Sequence, residues 1–357
     1  MRRALELAER GLYTTTPNPR VGAVLVKDSR VIGEGWHQVA GEPHAEVNAI
    51  RDAQQKAGPE AVKGATLYVT LEPCSHQGRT PPCASLLVRE GVTRVVAAME
   101  DPNPLVAGQG FASLRAAAID VRVGLLDGEA RELNIGFISR MTRGLPWVRL
   151  KVAASLDGKT ALTNGKSQWI TGPEARKDGH AYRARACAIL TGIGTVREDN
   201  PQLTVREVVT PRQPLKIIVD SNLQIAPDAR ILKEGKVLIV HAGGRDDARK
   251  ALVGAGLEVI SLPDAKGKVN LPALLKALAQ RGLNEIHIES GFKLNGSLLR
   301  ENCVDELLIY FAASLIGHSG QGMFNLPELT NLEERRKVRI HRVNQLGADL
   351  RLIARLD

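Results

Sequence analysis

The sequence predicts a chain of two α/β domains that join near residue 145. The length of 357 residues is typical of two domains. Short β-branched runs alternate with segments of helical spacing along the chain, which favours strands interleaved with helices. Gly144-Leu145-Pro146 interrupts this alternation. We therefore expect one domain over residues 1–145 and a second over residues 146–357.

Composition narrows the class of protein. Hydrophobic residues make up 43% of the chain but aromatic residues only 3%, which predicts aliphatic cores. No apolar run reaches the roughly 18 residues of a membrane span, and residues 1–11 lack the apolar stretch of a signal peptide. Four cysteines are too few for a disulfide framework. We expect a cytoplasmic protein with no membrane partner.

One constellation of residues predicts metal chemistry in the first domain. His44-Ala45-Glu46 is followed by Pro73-Cys74 and by Pro82-Cys83. Two thiols and one imidazole supply three ligands, and a catalytic zinc keeps its fourth position for water, whose pKa it lowers. Glu46 can carry the proton of that water. The order H-x-E…P-C-x-x-C is typical of zinc deaminases, although the two cysteines here are spaced C-x8-C.

These residues also have simpler interpretations than a deaminase site. A lone His-x-Glu is usually a pair of solvated side chains, and two cysteines nine residues apart are often buried thiols. A structural zinc site would need a fourth ligand, which His76 could supply. That arrangement leaves Glu46 without a role. The combination and order of the motifs therefore favour a zinc deaminase.

The spacing of apolar residues indicates how the first domain presents these ligands. A helix over residues 44–57 would carry His44 and Glu46 in its first turn, and a strand over 66–71 leads to Cys74. Pro82 opens a helix at Cys83, whose thiolate the helix dipole stabilises. The remaining predicted elements are helices at 2–10, 111–118 and 127–143, and strands at 21–26, 31–36, 94–98 and near 121. The order α-β-β-α-β-α-β-α-β predicts a three-layer α/β/α sandwich.

Charge distributes unevenly between the two halves. Residues 1–145 hold 17 Lys and Arg against 16 Asp and Glu, whereas residues 146–357 hold 31 against 23. A deaminase of RNA or DNA would carry its basic surface beside the zinc. This distribution argues against a nucleic-acid partner. It favours a small substrate for the first domain and anionic ligands such as phosphates for the second.

The second domain is predicted to contain a β-sheet of the kind that binds nucleotides. Strands are predicted at 147–155, 187–191, 215–220, 237–241, 257–261, 285–289 and 306–311, with a helix over 174–185. Since no G-x-G-x-x-G follows the first strand, an ordinary dinucleotide fingerprint is absent. Residues 192–196 are interpreted as a glycine-bearing turn. Glu289-Ser290-Gly291, with Gly296 and a helix beyond, would form a phosphate cradle, or else a plain helix entry.

Longer motifs resemble one family over essentially the whole chain. They are Asn18-Pro19-Arg20-Val21-Gly22, Gly41-Glu42-Pro43-His44-Ala45-Glu46, the segment from Thr70 to Cys83, Ser155-Leu156-Asp157-Gly158-Lys159 and the segment from Thr195 to Arg206. They resemble the bifunctional deaminase/reductases of riboflavin biosynthesis, the RibD family. The resemblance implies a cytidine-deaminase-like first domain and a dihydrofolate-reductase-like second domain. The implied substrate is a diaminohydroxy-pyrimidine with a phosphoribosylamino group, which is deaminated before NADPH reduces its ribosyl chain to ribityl.

The resemblance also implies roles for individual residues. His44, Cys74 and Cys83 would hold one zinc and Glu46 would shuttle protons, with Asn18 and His76 near the ring or phosphate. Residues implied to face NADPH are Ala153, Trp169, Thr195, Asp199, Ser221, Gly291, Phe292, Lys293, Leu294, Asn295, Gly296 and Ser297. Residues implied to face the substrate are Ser167, Arg183, Leu203, Arg206 and Glu289. Lys151 is a further candidate for charge stabilisation near the hydride. Phe292-Lys293 departs from the smaller or Pro-containing turn that is usual in the family.

Two of these assignments have a physical reason of their own. The guanidinium groups of Arg183 and Arg206 would bind phosphate bidentately, although an isolated arginine is more often a solvated charge. Apolar strand-like segments at 338–343 and 350–354 make a homo-oligomer, a dimer or tetramer, plausible. Two alternatives stay open at this point: a nucleic-acid-editing deaminase, and a non-catalytic zinc module with a nucleotide-sensing domain.

Overall fold

The computed structural model describes residues 1–75, 82–244 and 246–356. Its contacts divide the chain into two compact units, Met1–Gly144 and Leu145–Asp357. In the described part of the chain, no helix has the length and apolar character needed to cross a bilayer.

The first unit is built on a five-stranded sheet. Its elements are α1 (Arg2–Glu9), β1 (Gly22–Lys27), β2 (Arg30–Trp36), α2 (Ala45–Ala57), β3 (Thr66–Val69), α3 (Cys83–Arg89), β4 (Arg94–Ala97), α4 (Gln109–Ala116), β5 (Asp120–Val123), α5 (Asp127–Leu133) and α6 (Ile135–Arg143). The strand order is β2-β1-β3-β4-β5. β1 runs antiparallel to both neighbours, and β3, β4 and β5 are parallel. The predicted α/β class and the predicted order of elements up to β5 are confirmed.

Helices cover both faces of this sheet, and two glycines allow them to approach closely. A Cβ on Gly22 would lie 1.9 Å from the carbonyl oxygen of Ala4 in α1. On the opposite face, a Cβ on Gly35 would lie 2.4 Å from the carbonyl oxygen of Ala45 in α2. Since successive strand residues point to opposite faces, the sheet is sandwiched between α1 and α2. This close packing fixes the start of α2, where the predicted site residues His44 and Glu46 lie.

The prediction of one helix over residues 127–143 is wrong, because the segment forms α5 and α6. Asn134 separates them with φ −108°, outside the helical range. Its side-chain Oδ1 accepts from the backbone N–H of Arg20 at 2.8 Å, and its Nδ2 donates to the Arg20 carbonyl oxygen at 2.9 Å. Asn134 is itself buried, so both hydrogen bonds are shielded from water. The two hydrogen bonds between the Asn134 side chain and the Arg20 backbone stabilise the fold more than continuing the helix through Asn134 would.

The second unit is built on a nine-stranded sheet. Its elements are β6 (Trp147–Ser155), β7 (Lys159–Ala161), α7 (Pro173–Arg185), β8 (Ala188–Gly192), α8 (Ile193–Asp199), β9 (Leu215–Val219), β10 (Val237–His241), α9 (Asp246–Gly254), β11 (Glu258–Ser261), α10 (Leu271–Gln280), β12 (Glu285–Ile288), α11 (Phe292–Arg300), β13 (Glu306–Ala312), β14 (Gln321–Gly322), β15 (Val338–Leu346) and β16 (Asp349–Leu356). The order is β11-β10-β9-β8-β12-β6-β13-β16-β15. Seven strands are parallel, and β16 and β15 extend the sheet as an antiparallel hairpin.

Two local predictions in this unit are wrong. Residues 192–196 are not a turn, because α8 begins at Ile193 directly after β8 and buries Val196 in a core with Ile189. The helix expected beyond Gly296 begins earlier, at Phe292, and includes that glycine. Its Leu298 side chain is fully buried in the main core. In both places the gain from burying an apolar helix face outweighs the turn preference of glycine.

Candidate active sites

Three elements of the first unit bring one imidazole and two thiols together. His44 caps the N-terminus of α2, Cys83 is the first residue of α3, and Cys74 lies in the segment after β3. Their ligand atoms all lie within 4.8 Å of one another. His44 Nδ1 is 3.6 Å from Cys74 Sγ and 3.4 Å from Cys83 Sγ. The Cys83 N–H also donates to Cys74 Sγ at 3.3 Å.

The donor atoms of this cluster suit a divalent cation. The hydrogen bond with Cys83 lowers the pKa of Cys74 to about 4, and the same contact raises the pKa of Cys83. The contact with Cys74 raises the pKa of His44. Two sulfur donors and one nitrogen donor are the ligand types that zinc prefers, so these residues fit the metal.

Glu46 lies beside this cluster in the first turn of α2. Only 3% of the residue is exposed, and burial raises its pKa to about 7, an effect that the neighbouring His44 opposes. A carboxyl group that titrates near neutrality can both accept and release a proton at pH 7. The position of Glu46 therefore suits the predicted proton carrier.

The sequence did not single out His37, which lies next to the cluster. The imidazoles of His37 and His44 meet edge-on, with centroids 5.5 Å apart. His37 Nε2 is 3.1 Å from Asn18 Nδ2, and His37 Nδ1 is 3.2 Å from the Pro43 carbonyl oxygen. Asn18 is thus connected to the cluster through His37. The position of His37 directly after β2 was the available signal. His76 lies outside the described residues.

A second cluster, the Glu289 cluster, gathers charged residues at the end of β12. The Arg183 guanidinium pairs with both carboxylate oxygens of Glu289, with Nη2 at 2.9 Å from Oε2. Lys151 Nζ lies 3.7 Å from Oε2, and His287 Nε2 lies 3.3 Å from Oε1. Burial would raise the pKa of Glu289, but Arg183 and Lys151 hold it well below its usual range. Burial lowers the pKa of Lys151.

Arg206 is held near this cluster by a histidine that the sequence did not indicate. The backbone N–H of Arg206 donates to His180 Nδ1 at 3.1 Å, and its side-chain Nη1 donates to Thr204 Oγ1 at 2.8 Å. His180 is 7% exposed, and burial lowers its pKa to about 4. Leu203 has φ +50° and a side chain buried in the core.

The residues expected at the cofactor fall into several places. β8 and β12 are parallel neighbours, and α8 and α11 begin directly after them. A Cβ on Gly291 would lie 3.6 Å from Thr195 Oγ1, so the starts of the two helices are adjacent. Adjacent helix N-termini present free N–H groups and positive dipole ends, which fit the phosphates of a dinucleotide. Asp199 is hydrogen-bonded to Ser167, while burial raises its pKa.

The surroundings of the other predicted cofactor residues are as follows. The side chain of Asn295 is buried and donates to the Met323 carbonyl oxygen at 3.2 Å. Trp169 is 73% exposed, and the Arg176 guanidinium lies 4.9 Å from its ring centroid. The others lie as follows: Ala153 within β6, Phe292, Lys293, Leu294, Gly296 and Ser297 within α11, and Ser221 after β9, where its Oγ accepts from Val269 N–H at 3.3 Å. The predicted cofactor residues Gly291 and Thr195 thus lie side by side at the starts of α11 and α8.

Two family models match different parts of the chain. A model described as the cytidine and deoxycytidylate deaminase zinc-binding region matches residues 1–99. A model described as the RibD C-terminal domain matches residues 146–352.

Curated proteins match along nearly the full chain. The riboflavin biosynthesis protein RibD of Escherichia coli is 45% identical over 363 residues, covering 98% of this chain and 96% of that protein. The Bacillus amyloliquefaciens protein of the same name is 44% identical, covering 99% and 95%.

Solved structures agree with this match. Acinetobacter baumannii RibD, form 1, superposes with a TM-score of 0.90 at 42% identity, covering 100% of this chain and 97% of that chain. A Thermotoga maritima diaminohydroxyphosphoribosylaminopyrimidine deaminase/5-amino-6-(5-phosphoribosylamino)uracil reductase superposes with a TM-score of 0.88 at 34% identity, with the same coverage.

Proposed function

We propose a two-step function from one premise: the chain belongs to the RibD family, the bifunctional deaminase/reductases of riboflavin biosynthesis. The family predicted from the sequence is confirmed, as are the deaminase and reductase activities. The chain is an enzyme that acts on a small molecule, and it uses zinc and a nicotinamide cofactor. More specifically, we propose one zinc per chain and NADPH as the nicotinamide.

The proposed substrate is the diaminohydroxyphosphoribosylaminopyrimidine named for the Thermotoga relative. Its ring would be deaminated hydrolytically by residues 1–145. Residues 146–357 would then reduce the ribosyl group of 5-amino-6-(5-phosphoribosylamino)uracil to ribityl. The proximity of His44, Cys74, Cys83 and Glu46 carries the first step, since this donor set and a buried carboxyl group are what hydrolytic deamination needs.

The first site would work through these four residues. Zinc held by His44, Cys74 and Cys83 would supply a Lewis acid that makes water a better nucleophile at neutral pH. Glu46 takes the proton of the attacking water and delivers it to the departing amine. Its pKa of about 7 lets the same carboxyl group act in both directions. Asn18 lies beside this site, and its side-chain carbonyl oxygen would hydrogen-bond the pyrimidine ring, while His37 orients it by accepting from Asn18 Nδ2.

The Glu289 cluster would serve the second step. NADPH supplies the hydride. Lys151 can protonate the ribosyl group as it is reduced, because its lowered pKa makes it a better proton donor at neutral pH. Glu289 occupies the guanidinium fork of Arg183, so we assign phosphate binding chiefly to Arg206. Arg183 then holds Glu289 and Lys151 in place.

A paired assay on the zinc-loaded protein tests both steps. The diaminopyrimidine ribosyl phosphate is supplied without NADPH and ammonia is measured, and NADPH is then added and its oxidation followed. Ammonia first and NADPH loss second is the expected order. Glu46→Gln should abolish ammonia release with zinc content unchanged, while Glu42→Gln, at an exposed position near the same helix, serves as the control. Equal ammonia release from Glu46→Gln and the parent would contradict the assigned role.

We also propose a homo-oligomer formed through β15, and a cytoplasmic location. β15 is the outermost strand of the nine-stranded sheet, yet Val338, Ile340 and Val343 are 45%, 61% and 53% exposed. An apolar edge strand is unusual unless another chain covers it. Sedimentation should show a dimer or tetramer that Ile340→Arg dissociates, whereas a monomeric parent would contradict the interface. In the part of the chain that the structure describes, none of the four cysteines forms a disulfide, which suits a reducing compartment.

A further inference from the structure

Glu72 is a buried carboxylate to which no catalytic role has been assigned. It is 5% exposed and follows β3 by a few residues. Its two oxygens accept four backbone N–H groups: Oε1 accepts from Gly110 at 2.8 Å and Phe111 at 3.1 Å, and Oε2 accepts from Gly108 at 2.9 Å and Asp101 at 3.1 Å. An ionised carboxylate only accepts hydrogen bonds, so four donors satisfy it fully. Two of these donors belong to the start of α4.

The same region packs directly against the peptide that precedes Cys74. A Cβ on Gly110 would lie 2.0 Å from the Pro73 carbonyl oxygen and 3.0 Å from Glu72 Oε1. The Glu72 N–H donates to the Met99 carbonyl oxygen at 3.0 Å. On the other side, the Cys74 carbonyl oxygen accepts from Ala84 N–H at 3.1 Å. Cys74 is therefore held between α4 on one side and α3 on the other.

We propose that Glu72 is a positioning residue of the deaminase site. By binding the start of α4, it fixes the Glu72-Pro73-Cys74 segment so that the Cys74 thiolate meets His44 and Cys83 at the separation that a shared zinc requires. The inference rests on the proposed zinc site. Residues that orient metal ligands commonly alter metal affinity by about tenfold to a hundredfold when they are changed. A carboxylate that merely stabilised α4 would leave that affinity unchanged.

Glu72→Gln is the test variant, because it keeps the shape of the side chain and replaces one acceptor oxygen with a donor that opposes two N–H groups. Cobalt(II) is bound in place of zinc, and the thiolate-to-cobalt absorption is recorded. Zinc affinity is measured by competition with a chelator. We expect a shifted cobalt spectrum and a zinc affinity lower by about tenfold to a hundredfold. NADPH oxidation on deaminated substrate should be unchanged. Glu9→Gln, at an exposed glutamate of α1, removes the same charge as the control.

The outcomes separate this inference from the proposed function. A parent protein without thiolate-to-cobalt absorption would refute the zinc site itself. A parent with that absorption, together with a Glu72→Gln protein of identical spectrum and zinc affinity, would refute the positioning role alone. A lower melting temperature as the sole effect belongs to that second outcome.

A measurement on the parent decides the matter if Glu72→Gln does not fold. Amide hydrogen exchange is compared for the metal-free and zinc-loaded parent. Because Glu72 would couple Cys74 to its donors, zinc should slow the exchange of Gly108, Gly110 and Phe111 by at least about tenfold more than that of the β1–β2 hairpin. Equal slowing of both segments would overturn the proposal.

Discussion

His180 offers the sharpest test of the electrostatics in the second unit. Its Nδ1 accepts the Arg206 N–H at 3.1 Å, which requires the neutral imidazole. The charged groups that act on it are Arg183, Arg206, Glu289 and Lys151. Three of the four are cations. Burial and these cations lower the pKa of His180 from 6.5 to about 4.

The direction of this pKa shift determines how the stability of the fold changes with pH. The unfolded chain takes up a proton near pH 6.5, whereas the folded chain resists it until about pH 4. The shift in the pKa of His180 therefore makes its full contribution to the free energy of unfolding above pH 6.5. This contribution is lost as the pH falls toward 4. At about 1.4 kcal/mol per pKa unit, the loss is about 3 kcal/mol. His180→Asn keeps an acceptor for the Arg206 N–H but does not titrate.

Urea unfolding at pH 7, 6, 5 and 4.5 measures this difference. Trp36→Phe in both proteins restricts tryptophan fluorescence to the second unit, which holds Trp147 and Trp169. The free energy of unfolding should fall more steeply with decreasing pH in the parent than in His180→Asn, by about 2 kcal/mol at pH 5. Other titrating groups cancel in the comparison. Parallel pH profiles for the two proteins would refute the reasoning.

Three further outcomes are expected. Chelation of zinc should stop ammonia release but spare NADPH oxidation on deaminated substrate, and loss of both activities would contradict the separation of the sites. Gly22→Ala should destabilise the first unit by at least about 2 kcal/mol, since its Cβ meets the Ala4 carbonyl oxygen, while Gly128→Ala, with open space around it in α5, should be neutral or stabilising in the same thermal melt. Arg183→Lys removes the fork that pairs with Glu289, so reductase kcat/KM should fall at least about tenfold with ammonia release unchanged. Unaltered reduction would show that the pairing is dispensable.

The sequence predicted best where one short motif contains both the chemistry and its structural context. Cys83 follows a proline that opens α3, and His44 directly precedes α2. Spacing and residue type therefore place both residues at helix starts. The order of elements in the first unit followed from apolar periodicity for the same reason. Local signals were sufficient in these segments because the local preference and the tertiary packing agree.

Prediction failed where contacts distant in sequence decide the structure. The break between α5 and α6 depends on Asn134 binding the backbone of Arg20, 114 residues away. His180 and Glu72 are unremarkable in the sequence, because their roles arise from backbone N–H groups 26 to 39 residues away. The formation of α8 in place of the predicted turn, and the early start of α11, likewise reflect apolar burial against several strands of the sheet.

The two sites also differ in when they can form during synthesis. Cys83 follows His44 by only 39 residues, and all three proposed zinc ligands belong to the unit that ends at Gly144. The Glu289 cluster must wait for a residue that is 106 positions beyond Arg183. Domains generally fold as units while the ribosome is still adding residues. A nascent chain can therefore acquire its metal before the residues that complete the second site have been translated.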